Sequence, residues 1–235
     1  MAALPSDELS TLIGVLLGRG IDRRHVRRIV AETWRHGGSV SDSEARLTAD
    51  FGLELPPRSE ISANLRAVDR LMLRVVCLLD AEYPPCLQAV PDPPVALFVR
   101  GFVAALSGAM SVAVVGSRRA TVAGRLLARA LAADLGRAGV TVVSGLAVGI
   151  DGSAHRGALD VKARTVAVMG GGHNRIYPTS HRGLAEEVIT GTGAIVAEYP
   201  PTAARCAATS PSGIGSSVAL WLASLSLKQP SGAAP

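Results

Sequence analysis

The chain has 235 residues, 48% of them hydrophobic but only 3% aromatic, and a formal net charge of +5. It holds no run of about 18 apolar residues, which excludes a membrane-spanning helix, and its early Asp7 and Glu8, without a basic leader, argue against a signal peptide. The length allows one large domain or two small ones with a core of Ala, Val, Leu and Ile, and a pI near 9.6 suits an anionic partner, either nucleic acid or a phosphorylated small molecule.

Helical spacing begins at once. Leu9, Leu12, Ile13, Leu16 and Leu17 share one face of a first helix, which Gly18-Arg19-Gly20 breaks. Asp22 is placed to cap a second helix to about Arg35, with Val26, Ile29, Val30 and Trp34 apolar, and Gly37-Gly38 ends it. Such a glycine-turned hairpin is either a DNA reader of the helix-hairpin-helix kind or a packing module, and packing is the commoner use. Further helix is expected over 47–74, interrupted at Pro56-Pro57. Residues 1–70 thus form a helical N-terminal domain.

Residues 71–110 differ. A strand candidate, Val75-Val76-Cys77-Leu78-Leu79, precedes Tyr83-Pro84-Pro85, Pro91 and Pro93-Pro94, and Val95-Ala96-Leu97-Phe98-Val99 follows. The prolines mark turns and extended linkage, so the segment is expected to bridge into the main domain. Cys77, Cys86 and Cys206 show no metal or CxxC spacing; Cys77 and Cys86 are expected as core thiols, consistent with a reducing cytoplasm.

From Ser111 strands and helices alternate: strands at 112–115, 140–143, 165–169 and 194–197, helices at 123–137, 151–159 and 182–189. In the first helix Leu126, Leu127, Ala130, Leu131 and Leu135 make the apolar set. Alternation at this spacing predicts α/β architecture, a Rossmann-like parallel sheet with helices on both faces. After about Pro201 the pattern stops. Residues 202–235 are rich in Ala, Ser, Gly and Pro, with a short apolar helix conceivable over 218–227 and the rest expected as loop or disordered tail.

In such a sheet ligands sit beyond the carboxyl ends of the strands. Three tips meet there: Gly116-Ser117-Arg118-Arg119, the stretch from Ser144-Gly145 through Gly149 to Asp151, and Gly170-Gly171-Gly172-His173. Glycines let an anion approach the backbone, and helix starts present N–H groups to it. Ser117 and Ser144 can donate hydroxyl hydrogen bonds, and Arg118 can grip phosphate or stack on a base. Arg119 is a second phosphate contact or a solvated charge. Tyr177, the aromatic of this region, can stack on a base or simply fill a Tyr-Pro turn. Asp151 and His155 share a helix face. An acid/base pair is conceivable, but no second carboxylate or nucleophile is placed beside them, so Asp151 is expected to cap its helix and His155 to fill a buried hydrogen bond. Neither a GxGxxG fingerprint nor a Walker loop is present, and His173 and His181 lack metal spacing; no cofactor or metal is expected.

Over residues 80–201 the chain resembles the DNA-processing protein A family, also called Smf. The resemblance rests on Asp80…Tyr83-Pro84, Asp92-Pro93-Pro94, Val115-Gly116-Ser117-Arg118, Ser144-Gly145-Leu146-Ala147…Gly149-Ile150-Asp151…Ala154-His155, Tyr177-Pro178 and Glu198…Pro200. The second string is highly specific. The helical N-terminus is similar to the family's small N-terminal domain, though more weakly. The resemblance implies a non-enzymatic, dimeric, cytoplasmic protein of natural transformation. It would bind single-stranded DNA and help load a RecA-type recombinase. Gly116, Ser117 and Arg118 would line the DNA pocket, and Gly145, Gly149 and Asp151 would shape it. A phosphoribohydrolase-like enzyme on a related fold is the alternative, but its Pro-Gly-Gly-x-Gly-Thr loop is missing.

The departure lies after Pro201, where the family continues with a basic Phe-Pro-x-Arg-Asn-Arg segment. Residues 208–217, back-translated with permitted codons and read two bases later, give His-Leu-Pro-Val-Arg-Asn-Arg-Ile-Ile. A frameshift is therefore expected to have replaced the family's C-terminal portion, leaving the sheet incomplete, DNA binding and dimerisation weakened, and a gene remnant as the extreme case.

Overall fold

The structure, a computed structural model, describes residues 4–107 and 110–204. The expected helix at 218–227 and the out-of-frame stretch at 208–217 lie outside the described residues. Among those described, no helix is long and apolar enough to cross a membrane.

Four helices open the chain: α1 (Ser6–Leu17), α2 (Arg23–Arg35), α3 (Val40–Phe51) and α4 (Arg58–Arg70). Their ends follow from local chemistry. The Asp22 side chain accepts the Arg24 N–H and caps α2. Ser39 and Asp42 form a reciprocal capping box for α3, which stops at left-handed Gly52. Leu12, Val15, Ile29, Val30 and Leu47 make the shared core. In the turn after α1, Arg19 exchanges backbone hydrogen bonds with Glu54 at 2.9 and 3.0 Å, so its N–H is satisfied within the protein.

A six-stranded sheet follows, built of β1 (Arg74–Cys77), β2 (Ala96–Gly101), β3 (Ser111–Ala113), β4 (Thr141–Gly145), β5 (Thr165–Met169) and β6 (Ala194–Ala197). Its order is β1-β2-β6-β5-β4-β3. The β3–β4, β4–β5 and β5–β6 pairs are parallel, and β1–β2 and β2–β6 are antiparallel. The segment expected as linkage therefore adds two strands to the sheet. Its prolines fall between them, at the short α5 (Pro85–Gln88) and the turn before Val95, which leaves 95–99 free to pair.

Helices α6 (Val122–Arg137), α7 (Ile150–Asp160) and α8 (Arg182–Thr190) lie on one face, as right-handed crossovers between neighbouring strands require. Ala128, Ala154 and Ala158 pack there on Val142, and Leu184 and Val188 pack on Ala167 and Ile195. The other face buries Leu97, Val143, Val166 and Val196 under Leu78, Tyr83, Leu87 and Leu106.

One helix turns differently from expectation. α6 buries Ala128, Ala132 and Ala133, while Leu126, Leu127 and Leu131 stand 62%, 70% and 48% exposed. Close approach to α7 selects the small face: any side chain at Gly157 would strike the Arg129 carbonyl. The leucine stripe is left facing outward.

Candidate nucleic-acid interface

The parallel strands β4 and β5 end at a crevice of about 560 Å³, which Ala203 and Ala204 beyond β6 also line. Arg118, Gly145, Asp151 and Tyr177 line it, together with Gly170, Gly171 and Gly172. Arg175 and Arg182 complete its basic wall. Both were missed in the sequence, where they flank the Tyr177-Pro178 turn as isolated arginines. Their spacing around the one aromatic of the region was the available signal.

Asp151 organises the site. It is 3% exposed and accepts hydrogen bonds from the backbone N–H groups of Gly116 and Ala147, with the Ser144 side chain beside it. Burial nevertheless dominates and pushes its carboxyl up to about 6, against the pull of those donors and of Arg118. The first two glycine turns are thus tied to one carboxylate. Gly145 leaves the room: a Cβ there would meet Asp151 Oδ2 at 2.6 Å. Gly149 has φ +90°, and a side chain on it would strike the Ser117 carbonyl.

The remaining expected residues separate into two groups. Gly116, Ser117 and Gly149 build the turn behind Arg118; the Arg119 N–H donates to Ser117 Oγ at 3.0 Å, and the Ile150 N–H to the Ser117 carbonyl at 3.3 Å. Arg119 is exposed and lies outside the crevice lining. Ser144 is fully buried, and its hydroxyl lies 2.6 Å from the Val114 carbonyl, so it braces the strand end beneath the crevice.

The histidines are structural in placement. His155 is fully buried, with Nε2 2.6 Å from the Gly145 carbonyl and Nδ1 2.7 Å from Thr165 Oγ1. Burial lowers it to about 4, and Nε2–H donates to the Gly145 carbonyl; the Thr165 hydroxyl beside Nδ1 donates to the Val142 carbonyl at 2.9 Å. His173 is likewise buried, pulled down to about 4 by desolvation, and set 2.8 Å from the Phe98 carbonyl. His181 Nδ1 lies 2.9 Å from the Leu146 carbonyl and holds the second glycine turn from outside. No cluster of metal-ligating side chains occurs among the described residues.

The N-terminal helices are fastened to the same end of the sheet. Arg27 of α2 bridges Asp92 at 2.8 Å and Glu198 at 2.9 Å, and Arg23 stacks on the Tyr199 ring at 4.6 Å. Asn64 of α4 holds Thr202 by both its backbone N–H (2.8 Å) and its hydroxyl (2.7 Å).

These features define a Rossmann-like α/β protein with an arginine- and glycine-lined crevice at the carboxyl edge of its sheet. The family described as DNA recombination-mediator protein A matches residues 74–211, more than half of the chain, and the chain belongs to that family. It is 40% identical over 144 residues to Protein Smf of Escherichia coli, a match covering 61% of this chain and 38% of that protein. It is 33% identical over 129 residues to the DNA processing protein DprA of Bacillus subtilis, covering 55% of this chain and 43% of that one. The chain thus spans less than half the length of either relative. Its fold is shared with the crystal structure of DNA processing protein A from Streptococcus pneumoniae (TM-score 0.63, 20% identity, 88% of this chain and 71% of that one).

Proposed function

We propose that this chain binds single-stranded DNA in the crevice, as part of DNA uptake and recombination in the cytoplasm, and presents it to a RecA-type recombinase without chemical turnover. The observation that carries the reading is the lining itself. Arg118, Arg175 and Arg182 line the crevice together with Gly145 and Gly170 to Gly172, and Tyr177, also in the lining, stands 63% exposed. Arginines neutralise phosphates, glycines admit the backbone, and an exposed tyrosine gives a base a stacking surface of any sequence. Asp151 is consumed in holding two turns together, and His155 is sealed beneath them, which supports binding over acid/base catalysis.

The out-of-frame reading after Pro201 remains part of the proposal. Genomic DNA that fails to resume the family pattern in another frame removes it. Homodimer formation and recombinase contact are proposed as family properties, weakened here where the departing tail replaces expected surface.

Fluorescence anisotropy with labelled oligo-dT tests the binding. The expected result is salt-sensitive affinity, weakened at least tenfold by Arg118→Ala together with Arg182→Ala, since each phosphate contact adds to both affinity and salt slope. Binding unaltered by that pair places the DNA elsewhere.

A further inference from the structure

We infer that the nucleic-acid track does not end at the crevice but continues over α4, where Arg66 and Arg70 are further phosphate contacts. The inference rests on the single-stranded DNA reading of the crevice and extends it into the helical N-terminal part.

The two loops that rim the crevice have a second side. Gly172 and Arg175 line the crevice, while Asn174 between them lines a separate open groove of about 510 Å³. Ala203 lines the crevice, while the preceding Thr202 lines that groove. The groove's far wall is α4, through Ala63, Arg66, Asp69 and Arg70. A chain leaving the crevice across either loop therefore passes directly onto α4.

This junction is rigid. The Gly172 N–H donates to the Ala203 carbonyl at 3.1 Å and the Asn174 N–H to the Pro201 carbonyl at 2.9 Å, which stitches the loops together. Asn64, fully buried, grips Thr202 from α4, and Arg70 Nη2 donates to Asn174 Oδ1 at 2.7 Å. The arginines are thus held at a fixed offset from Arg175.

Their charges are also uncommitted. Of the other arginines in the N-terminal part, Arg27, Arg28, Arg46 and Arg74 each have a carboxylate partner, while Arg19, Arg24, Arg35 and Arg58 have no ion pair among the described residues. Arg66 and Arg70 have none among the described residues, although Asp69 shares their groove. Arg70 spends part of its five-donor fork on Asn174 and keeps the rest for a phosphate. Two cations against one anion leave the groove basic, and a single strand has the flexibility to follow the bend.

The experiment compares labelled oligo-dT of about four nucleotides, enough for the crevice, with about sixteen, enough to run onto α4. Arg66→Ala with Arg70→Ala is expected to weaken the long oligomer at least fivefold and to lower its salt slope by about 1.4, two phosphates at about 0.7 each. The short oligomer is expected to bind as before. Asp69→Asn, which removes the opposing charge and keeps both arginines, is expected to tighten the long oligomer only. An unchanged salt slope for the long oligomer overturns the inference and leaves the crevice reading intact. Equal losses for both lengths also overturn it, because the arginines then act on the crevice itself. Failure of the unaltered chain to bind either length overturns the crevice reading and this extension together.

Discussion

The buried carboxylate of Asp151 accepts the backbone N–H of Gly116, and through this bond α7 holds the turn that carries Arg118. The same group sets a pH dependence. Burial raises its carboxyl to about 6, so near neutral pH it is an anion in the wall of a crevice suited to phosphates, and below about 6 it is neutral. Affinity for single-stranded DNA is expected to rise roughly three- to tenfold as pH falls through 6, the scale of one partly screened charge. By linkage, bound DNA raises the Asp151 carboxyl further. Anisotropy titrations from about pH 8 down to 5 read this directly. Asp151→Asn is expected to flatten the profile near its acid limit, with His181→Gln as the control for the neighbouring imidazole. A profile that persists in Asp151→Asn assigns the titration to another group.

The two sealed histidines give stability the opposite dependence. His155 and His173 are lowered to about 4 in the fold and return to about 6.5 when unfolded. Their contribution is present above 6.5 and is lost as pH falls toward 4, because the unfolded chain binds protons that the fold refuses. Asp151 opposes this between about 4 and 6, since its raised carboxyl makes the fold the better proton binder there. Two groups outweigh one, so stability is expected to fall on acidification across that window by about 1.4 kcal/mol per pH unit. Urea unfolding at stepped pH measures the slope. His173→Gln is expected to reduce it; a slope unchanged in that variant removes His173 from the account.

The exposed face of α6 predicts self-association. Leu126, Leu127 and Leu131 point outward, and Val122 on the same helix is 64% exposed. An exposed apolar stripe of this kind favours contact between copies. Sedimentation velocity is expected to show species heavier than the monomer as concentration rises. Leu127→Glu with Leu131→Glu should shift the distribution to monomer without lowering the melting temperature, because neither side chain is in the core. Monomer at every concentration in the parent chain contradicts the argument.

That stripe also shows where sequence reading stops. The β5 and β6 boundaries were visible as unbroken apolar runs, and the Asp22 cap and Gly37 stop framed α2, because each is a local signal. Which face of α6 is buried is not local. Leucine periodicity favoured one face, and the close fit of Gly157 against the Arg129 carbonyl decided for the alanine face. The crevice was legible to the same degree. The glycine strings located it and marked Asp151 as an organiser, while the inward turn of Ser144 and the arrival of Arg175 and Arg182 depend on how three loops meet. The sheet was underestimated for a related reason: proline content disguised the segment that carries β1 and β2, whose strands lie between the prolines.

Arg27 makes the last test, of how firmly the N-terminal helices are joined to the sheet. Its side chain is 11% exposed and serves two carboxylates, Asp92 at 27% and Glu198 at 4% exposure. A buried pair adds little over an apolar replacement of the whole arrangement, but deleting one partner leaves a buried opposite charge, which is costly. Arg27→Ala is therefore expected to cost about 3–5 kcal/mol, most of it from Glu198, which sits at the end of β6 away from water. Adding Glu198→Gln should recover part of that loss, whereas two independent effects would add. Urea denaturation of the single and double variants gives the coupling. If Arg27→Ala loses less than about 1 kcal/mol, the pair behaves as a surface bridge and the helical part is held by its apolar contacts together with Arg23, Asn64 and Arg70.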